Sequence, residues 1–347
     1  MTRVVVNFCN DKSVVLGGVE LFNLELESRL VSRGYMIYRA RCNSKNVLIN
    51  TFNRVLKTCS FLLKSGVGRR SRVIIQHGNF LDVLAGFSIS VLTFRRIELI
   101  SHIGTTWNHA KNPFLNLFTR FLFALCLKKL WIIAEQQRSI FTGLECKKIH
   151  TLIHSSFSYA KNVAERRCGE SPYILFIGRV TRNKGVIDLM SLISDIPKPY
   201  QIWIVGNSDA DVTEYYENLS AEDQKRIRLV GPVYEIDQKV AIIDRCSFMV
   251  YPSYEDAFPL SVIEGYARGK LVICSDISET INFVSYEQLL VEPGDRSGLL
   301  DSIKFAIEMP DDAEKVMTRH MKNKALSYAG DAILDDMGFE FRADEDG

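Results

Sequence analysis

The sequence predicts an α/β fold made of two Rossmann-like domains, and three observations carry that prediction. The chain has 347 residues, enough for two domains that each bury a core. Short apolar runs recur in both halves: Val4–Phe8, Val73–Gln76, Ile97–Ser101, Tyr173–Ile177, Gln201–Val205, Phe248–Tyr251 and Leu271–Cys274. These read as strands buried on both faces. Glycine-bearing turns then lead from strand to helix, as at Gly17-Gly18 and Gly178–Gly185.

In the first half, Val4–Phe8 leads through Gly17-Gly18-Val19-Glu20 into a helix reaching about Ser32, with Leu21, Leu24, Leu26 and Leu30 apolar and Gly34 as its stop. The Gly pair reads either as a place where backbone amides approach a phosphate or as a tight turn. Leu81–Phe94 is a mostly apolar helix too short to span a bilayer. The flanking strands end at His77 and His102, where ligands bind in open α/β sheets. A lone histidine is more often structural; between the two, position favours His102. Pro113–Trp131 is rich in Phe and Leu, with Arg120, Lys128 and Lys129. Charge near its middle argues against a transmembrane helix. It reads as an interfacial helix with Trp131 at headgroup level, or as a helix packed on the sheet with a wet basic edge. Trp131–Ala134 and Ile149–Ile153 complete the strands, and Ala160–Ser171 is the expected linker.

In the second half, Tyr173–Ile177 is followed by Gly178, Arg179, Lys184 and Gly185. Arg and Lys five residues apart in one turn can converge on a diphosphate, as fork and point charge, or form an ordinary basic turn. Later strands end at Gly206 and at Gly231-Pro232-Val233-Tyr234. Asp209-Ala210-Asp211 has the form of a metal-binding D-x-D but reads as a solvated loop. Tyr251–Ser275 is a strand, a loop with Glu255 and Asp256, a helix opened by Pro259 and closed by Gly269, and another strand. Within that helix Val262, Ile263 and Tyr266 make a packed face around Glu264. Amides at the helix start can take phosphate oxygens, and the carboxylates can accept from sugar hydroxyls. The combination suits a phosphorylated, hydroxyl-rich ligand. Ser297–Met309 is a closing helix before an acidic tail.

The net charge of +2 conceals a division. Lys and Arg outnumber Asp and Glu 25 to 10 over residues 1–170 and are outnumbered 18 to 31 over 171–347. The first half is therefore suited to an anionic partner, nucleic acid or a membrane surface. Eight scattered cysteines without a C-x-x-C pair are expected to be reduced thiols in the cytosol. MTRVVVNF enters a strand directly, so no secretory signal is expected.

Asp256, seven intervening residues and Glu264, bracketing Phe258-Pro259-Leu260, together with Gly178-Arg179-x4-Lys184-Gly185, resemble the signature of the retaining nucleotide-sugar glycosyltransferases of family 4, which have the two-domain GT-B fold. The resemblance is fullest over Tyr173–Gly294 and extends to Val4–Gly34 and His102–Thr106. It implies two Rossmann-like domains facing each other across a cleft: 1–165 on the acceptor side (and, from its basic charge, facing a membrane), 171–325 holding the donor, and 326–347 as a C-terminal helix and tail. It places Arg179 and Lys184 on the donor diphosphate, Glu264 on the ribose, and Asp256 (favoured by spacing) or Glu255 on the transferred sugar, with His102 also on that sugar. Gly17, Gly18, Gly178, Gly206, Val233, Tyr234, Ala257, Phe258, Pro259 and Leu260 would complete the substrate site. The donor is expected to be a UDP- or GDP-sugar, with no cofactor and no metal.

The basic first half suggests a lipid-linked glycan acceptor and a cytoplasmic enzyme, peripheral on the inner face of the cell membrane, in bacterial surface-polysaccharide assembly. Two other classes stay open. One is a GT-B-like nucleotide-sugar epimerase, which needs no acceptor. The other is a non-catalytic binder whose basic half holds nucleic acid and whose second half holds a nucleotide, although basic and aromatic residues do not interleave as in single-strand binders, and no nucleic-acid partner is expected.

Overall fold

The computed structural model describes residues 4–8, 18–40, 46–64, 71–77, 80–102, 112–139, 141–148, 157, 171–256, 259–277, 284, 286–326 and 331–339. The chain forms two compact units, residues 1–152 with 330–347, and residues 153–329.

In the first unit the order is β1 (Val4–Phe8), α1 (Gly18–Ser32), β2 (Met36–Tyr38), α2 (Val47–Lys64), β3 (Arg72–His77), α3 (Phe80–Thr93), β4 (Ile97–Ser101), α4 (Pro113–Cys126), β5 (Leu127–Ile132) and β6 (Cys146–Lys148). The strands form one parallel sheet ordered β2-β1-β3-β4-β5-β6. Strand side chains alternate between faces, so neighbouring residues serve different layers. Val4, Val6, Phe8, Val73, Ile75, Leu99 and Ile132 pack under α2, α3 and α4. Val5, Ile74, Ile100 and Trp131 pack against Phe22, Leu26 and Leu30 of α1. Asn46 and Asn112 cap α2 and α4, their side chains accepting from Leu48 N at 3.0 Å and Phe114 N at 3.1 Å.

The expected helix over Pro113–Trp131 is corrected here. It stops at Cys126, because LKKLWI pairs with β4 as a strand. Trp131 is 1% exposed, and its indole N–H donates to Glu98 at 3.0 Å, so it does not lie at a headgroup level.

The second unit runs β7 (Tyr173–Ile177), α5 (Val186–Ser191), β8 (Gln201–Val205), α6 (Ala210–Glu217), α7 (Ala221–Gln224), β9 (Ile227–Gly231), α8 (Ile236–Arg245), β10 (Phe248–Tyr251), α9 (Leu260–Ala267), β11 (Val272–Ser275), β12 (Leu290–Val291), α10 (Arg296–Glu308) and α11 (Asp311–Leu326). Its parallel sheet is ordered β12-β11-β10-β7-β8-β9. Phe157, fully buried, belongs to this core.

The chain then returns to the first unit. α12 (Ala332–Asp336) and Phe339 close the sheet face covered by α1, through Ile333, Leu334 and Met337. Arg29 bonds Asp331 at 2.7 Å and Arg33 bonds Asp335 at 2.7 Å and the Phe339 carbonyl. Leu326 ends α11 in the second unit, so residues 326–347 are divided between the two units. None of the described helices is long and apolar enough to cross a membrane.

Candidate functional site

The loops beyond the carboxyl ends of β7, β8, β9 and β10 hold most of the chemistry. They are knitted together by backbone. Gly178 N donates to Val205 O at 3.0 Å, Val180 N to Asn207 O at 2.9 Å, and Gly206 N to Gly231 O at 3.0 Å. Gly206 has φ +148°, and a Cβ there would lie 1.8 Å from the Gly178 carbonyl oxygen, so the approach of these two loops requires glycine.

Gly185 performs the same service for the basic turn. It is left-handed at φ +67°, and a Cβ would stand 1.9 Å from Pro252 O. Its absence lets the loop after β10 lie on the turn that carries Lys184. The lysine, 7% exposed, donates to Asp256 Oδ2 at 2.8 Å, Glu255 O at 2.9 Å and Tyr251 Oη at 3.2 Å. An ammonium has three protons, and all three are used. Tyr251 also donates to Asp256. Burial, reinforced by the Asp256 charge, holds the Tyr251 phenol well above its usual pKa, so it stays a donor. One carboxylate thus receives an ammonium and a phenol.

Glu264, 3% exposed, is held separately. Lys239 of α8 donates to its Oε2 at 2.6 Å and stands 5.2 Å from the Phe157 ring. A second pair fixes the two helices, since Arg268 grips Asp244 bidentately at 2.7 and 2.7 Å. A third cluster braces the acidic loop: Tyr254 donates to Asp188 Oδ2 at 2.8 Å, and Arg296 to Asp188 Oδ1 at 2.8 Å.

The structure therefore brings Lys184, Asp256 and the Glu255 carbonyl into contact. It does not bring Arg179 to them; that side chain is exposed, with no hydrogen bond to another described residue. Val233 is half-buried and Tyr234 exposed just beyond β9. Pro259 occupies the cap position before α9, with Leu260 the first helical residue, one place later than expected. Asp209 occupies the cap position before α6, and Asp211 pairs with Arg182 at 3.3 Å. Gly17, Ala257 and Phe258 lie outside the described residues; Gly18 begins α1.

In the first unit His102 follows β4. Its Nε2 donates to Gln76 Oε1 at 2.8 Å, Gln76 donates to Asn7 at 3.1 Å, and Asn7 donates to Glu27 at 2.7 Å. Phe22 packs edge-on at 4.9 Å between ring centroids. Burial lowers the imidazole pKa to about 3, so the ring is neutral and its Nδ1 is an acceptor.

Sequence reading missed Lys239 and the Asp188–Tyr254–Arg296 cluster. Lys239 did leave a signal, lying three residues after Ile236 and four before Ile243, hence on the core-facing side of α8. The Asp188 cluster joins residues 66 and 108 apart in sequence and left none.

With two parallel six-stranded α/β units, the fold is that of the GT-B glycosyltransferases. Sucrose-phosphate synthase from Thermosynechococcus elongatus has a similar structure, with TM-score 0.78 and 17% identity over 97% of each chain. The Anabaena protein HepE in complex with UDP aligns at TM-score 0.69 and 12% identity, again over 97% of each chain. Within that fold, residues 171–309 match the family model described as Glycosyl transferases group 1. By sequence the chain is 25% identical over 158 residues to the N,N'-diacetylbacillosaminyl-diphospho-undecaprenol alpha-1,3-N-acetylgalactosaminyltransferase of Campylobacter jejuni, covering 45% of this chain and 40% of that enzyme. The chain spans less than half the length of the curated relatives it matches.

Proposed function

We propose that the chain is a retaining, metal-independent family 4 glycosyltransferase. It moves a sugar from a UDP- or GDP-sugar to a lipid-linked glycan in the assembly of a bacterial surface polysaccharide such as lipopolysaccharide. The observation that carries this reading is the meeting of two motifs, Lys184 of the Gly-Arg turn and Asp256 of the acidic loop, 72 residues apart and 2.8 Å from each other.

In this reading Asp256, oriented by Lys184 and Tyr251, accepts from hydroxyls of the transferred sugar. Glu264, steadied by Lys239, accepts from the ribose. The amides of Leu260 and Ser261 at the open end of α9 face the diphosphate, and Arg179 closes on it. Lys184 has no spare proton, so donor binding exchanges one of its three bonds, the longest being that to Tyr251. Its charge then stabilises the departing diphosphate, whose oxygen deprotonates the acceptor on the same face. His102 takes a sugar hydroxyl at Nδ1. The enzyme works in the cytoplasm, held to the inner face of the cell membrane by its basic first half. The Campylobacter relative, whose name specifies a diphospho-undecaprenol substrate, supports a lipid-linked acceptor.

The test is the shift in melting temperature with UDP, GDP, ADP and CDP, for the native chain and for Glu264→Ala. Selective stabilisation by one diphosphate, lost in the variant, supports the donor site; no shift with any of the four overturns it. Lys184→Ala is expected to lower turnover roughly 100-fold. Near-native turnover would remove Lys184 from the reaction.

A further inference from the structure

The helical layer α2–α3–α4 packs on the first sheet and leaves many apolar side chains exposed. On α4, Phe114, Phe118, Phe121 and Leu125 recur every three or four residues and are 45–84% exposed. In the first half of α2, Leu48, Phe52 and Leu56 recur every four residues and are 47–63% exposed, the first two extending past the sheet the side that Val55, Cys59 and Leu62 bury against it. Residues at such spacings share one side of a helix. α3 lies between the two helices and is followed by Phe94, 96% exposed in the left-handed region at φ 53°. Of the 21 large hydrophobic side chains exposed among the described residues, 14 lie within 47–94 and 113–126. Exposed apolar side chains concentrated on one helical layer in this way mark a binding face.

Charge selects the occupant. Residues 47–64 and 113–128 contain no Asp or Glu, and the one acid in 80–96, Asp82, is 2% exposed. Lys57, Lys64, Arg96 and Lys128 are exposed on these helices or directly after them. A second copy of the chain would set this array against like charge. An anionic lipid leaflet offers acyl chains to the Phe and Leu stripes and phosphates to the cations around them.

We propose that α2, α3 and α4 form one docking face that inserts into the outer layer of an anionic phospholipid membrane. The inference deepens the membrane half of the preceding reading and is independent of the donor site. Purely electrostatic attachment is released by salt, whereas inserted Phe and Leu hold on.

The experiment is cosedimentation of the full chain with vesicles of phosphatidylglycerol and phosphatidylcholine, or of phosphatidylcholine alone, at low and high salt. Binding should require phosphatidylglycerol and persist in part at high salt. Phe118→Gln with Phe121→Gln should weaken it roughly 100-fold, about tenfold per phenylalanine, without changing the melting temperature. Lys57→Gln with Lys128→Gln should weaken it roughly tenfold. No pelleting of the native chain, or unchanged pelleting of the Phe variant, overturns the proposal. So does light scattering that shows a native dimer and a monomeric Phe variant, which would make the face a self-association surface. Nucleotide-induced stabilisation is measured on the same samples: its loss with docking intact sinks only the donor site, and its survival without docking sinks only the membrane face.

Discussion

The two units are built on the same plan, six parallel strands covered by helices, and differ in how the helices are coated. In the second unit four large hydrophobic side chains are exposed among the described residues, and two of them, Tyr234 and Tyr254, sit in loops at the candidate site. Its α11, DDAEKVMTRHMKNKAL, turns buried Met317, Met321 and Ala325 inward and charges outward. In the first unit α4 does the reverse on its free side, where Phe114, Phe118 and Phe121 stand in the open. A helix needs only one apolar stripe to be held on a sheet. A second stripe adds nothing to that packing, so it reports on what the helix meets outside the fold.

If the difference lies only in the coat, the cores should respond alike. Phe123→Ala in the first unit and Phe176→Ala in the second, 1% and 0% exposed, should each cost about 3–5 kcal/mol in denaturant unfolding. A much smaller loss at Phe123 would mean that the first core is loose and its outer face a by-product. Next in size, Lys239→Met should cost about 3 kcal/mol and abolish nucleotide stabilisation, because Glu264 is left buried without its cation. Retained nucleotide response would separate Glu264 from the ligand.

A further effect appears only in acid. His102 has its pKa lowered by burial to about 3, against an unfolded value near 6.5. Between those limits the unfolded chain takes up a proton that the native chain does not. The stability gained from a neutral His102 is therefore complete above about pH 6.5 and is lost as pH falls toward about 3. His102→Gln should flatten that part of the pH–stability curve, and an unchanged slope would place the titration elsewhere. Smallest of all, Phe121→Gln should alter stability by less than about 0.5 kcal/mol, since its side chain is already 60% exposed.

How much of this was legible depends on the range over which each feature is encoded. Strands buried on both faces announce themselves locally, and Val4–Phe8, Ile97–Ser101, Tyr173–Ile177, Gln201–Val205 and Phe248–Tyr251 lie where their apolar runs predict. The turn before α9 and its stop are local too, through Pro259 and Gly269, the latter left-handed at φ +72°. The resemblance put Lys184 on the diphosphate and Asp256 on the sugar of one donor, but not in contact with each other: three acceptors on one ammonium follow from Gly185 letting Pro252 come close. The end of α4 was misread because no Gly or Pro stands between Cys126 and Leu127, so the helix runs into the strand without a local stop. What makes Leu127–Ile132 a strand is pairing with β4, a contact the local pattern does not contain. Lys239, with its partner 25 residues away, needed the fold to be seen.

The return of the chain to the first unit has a consequence for how the protein is made. Val5, Ile74, Ile100 and Trp131 find part of their cover in Ile333, Leu334, Met337 and Phe339. A ribosome emits residues 4–148 long before residue 339, so the first sheet waits with one face partly open while the second unit, made of residues 153–329, emerges whole. The domain that begins first is thus finished last. During that interval the nascent chain shows water two apolar surfaces of the first unit, the exposed apolar side chains of α2–α3–α4 and the strip reserved for α12. Both are places where a chaperone could hold it.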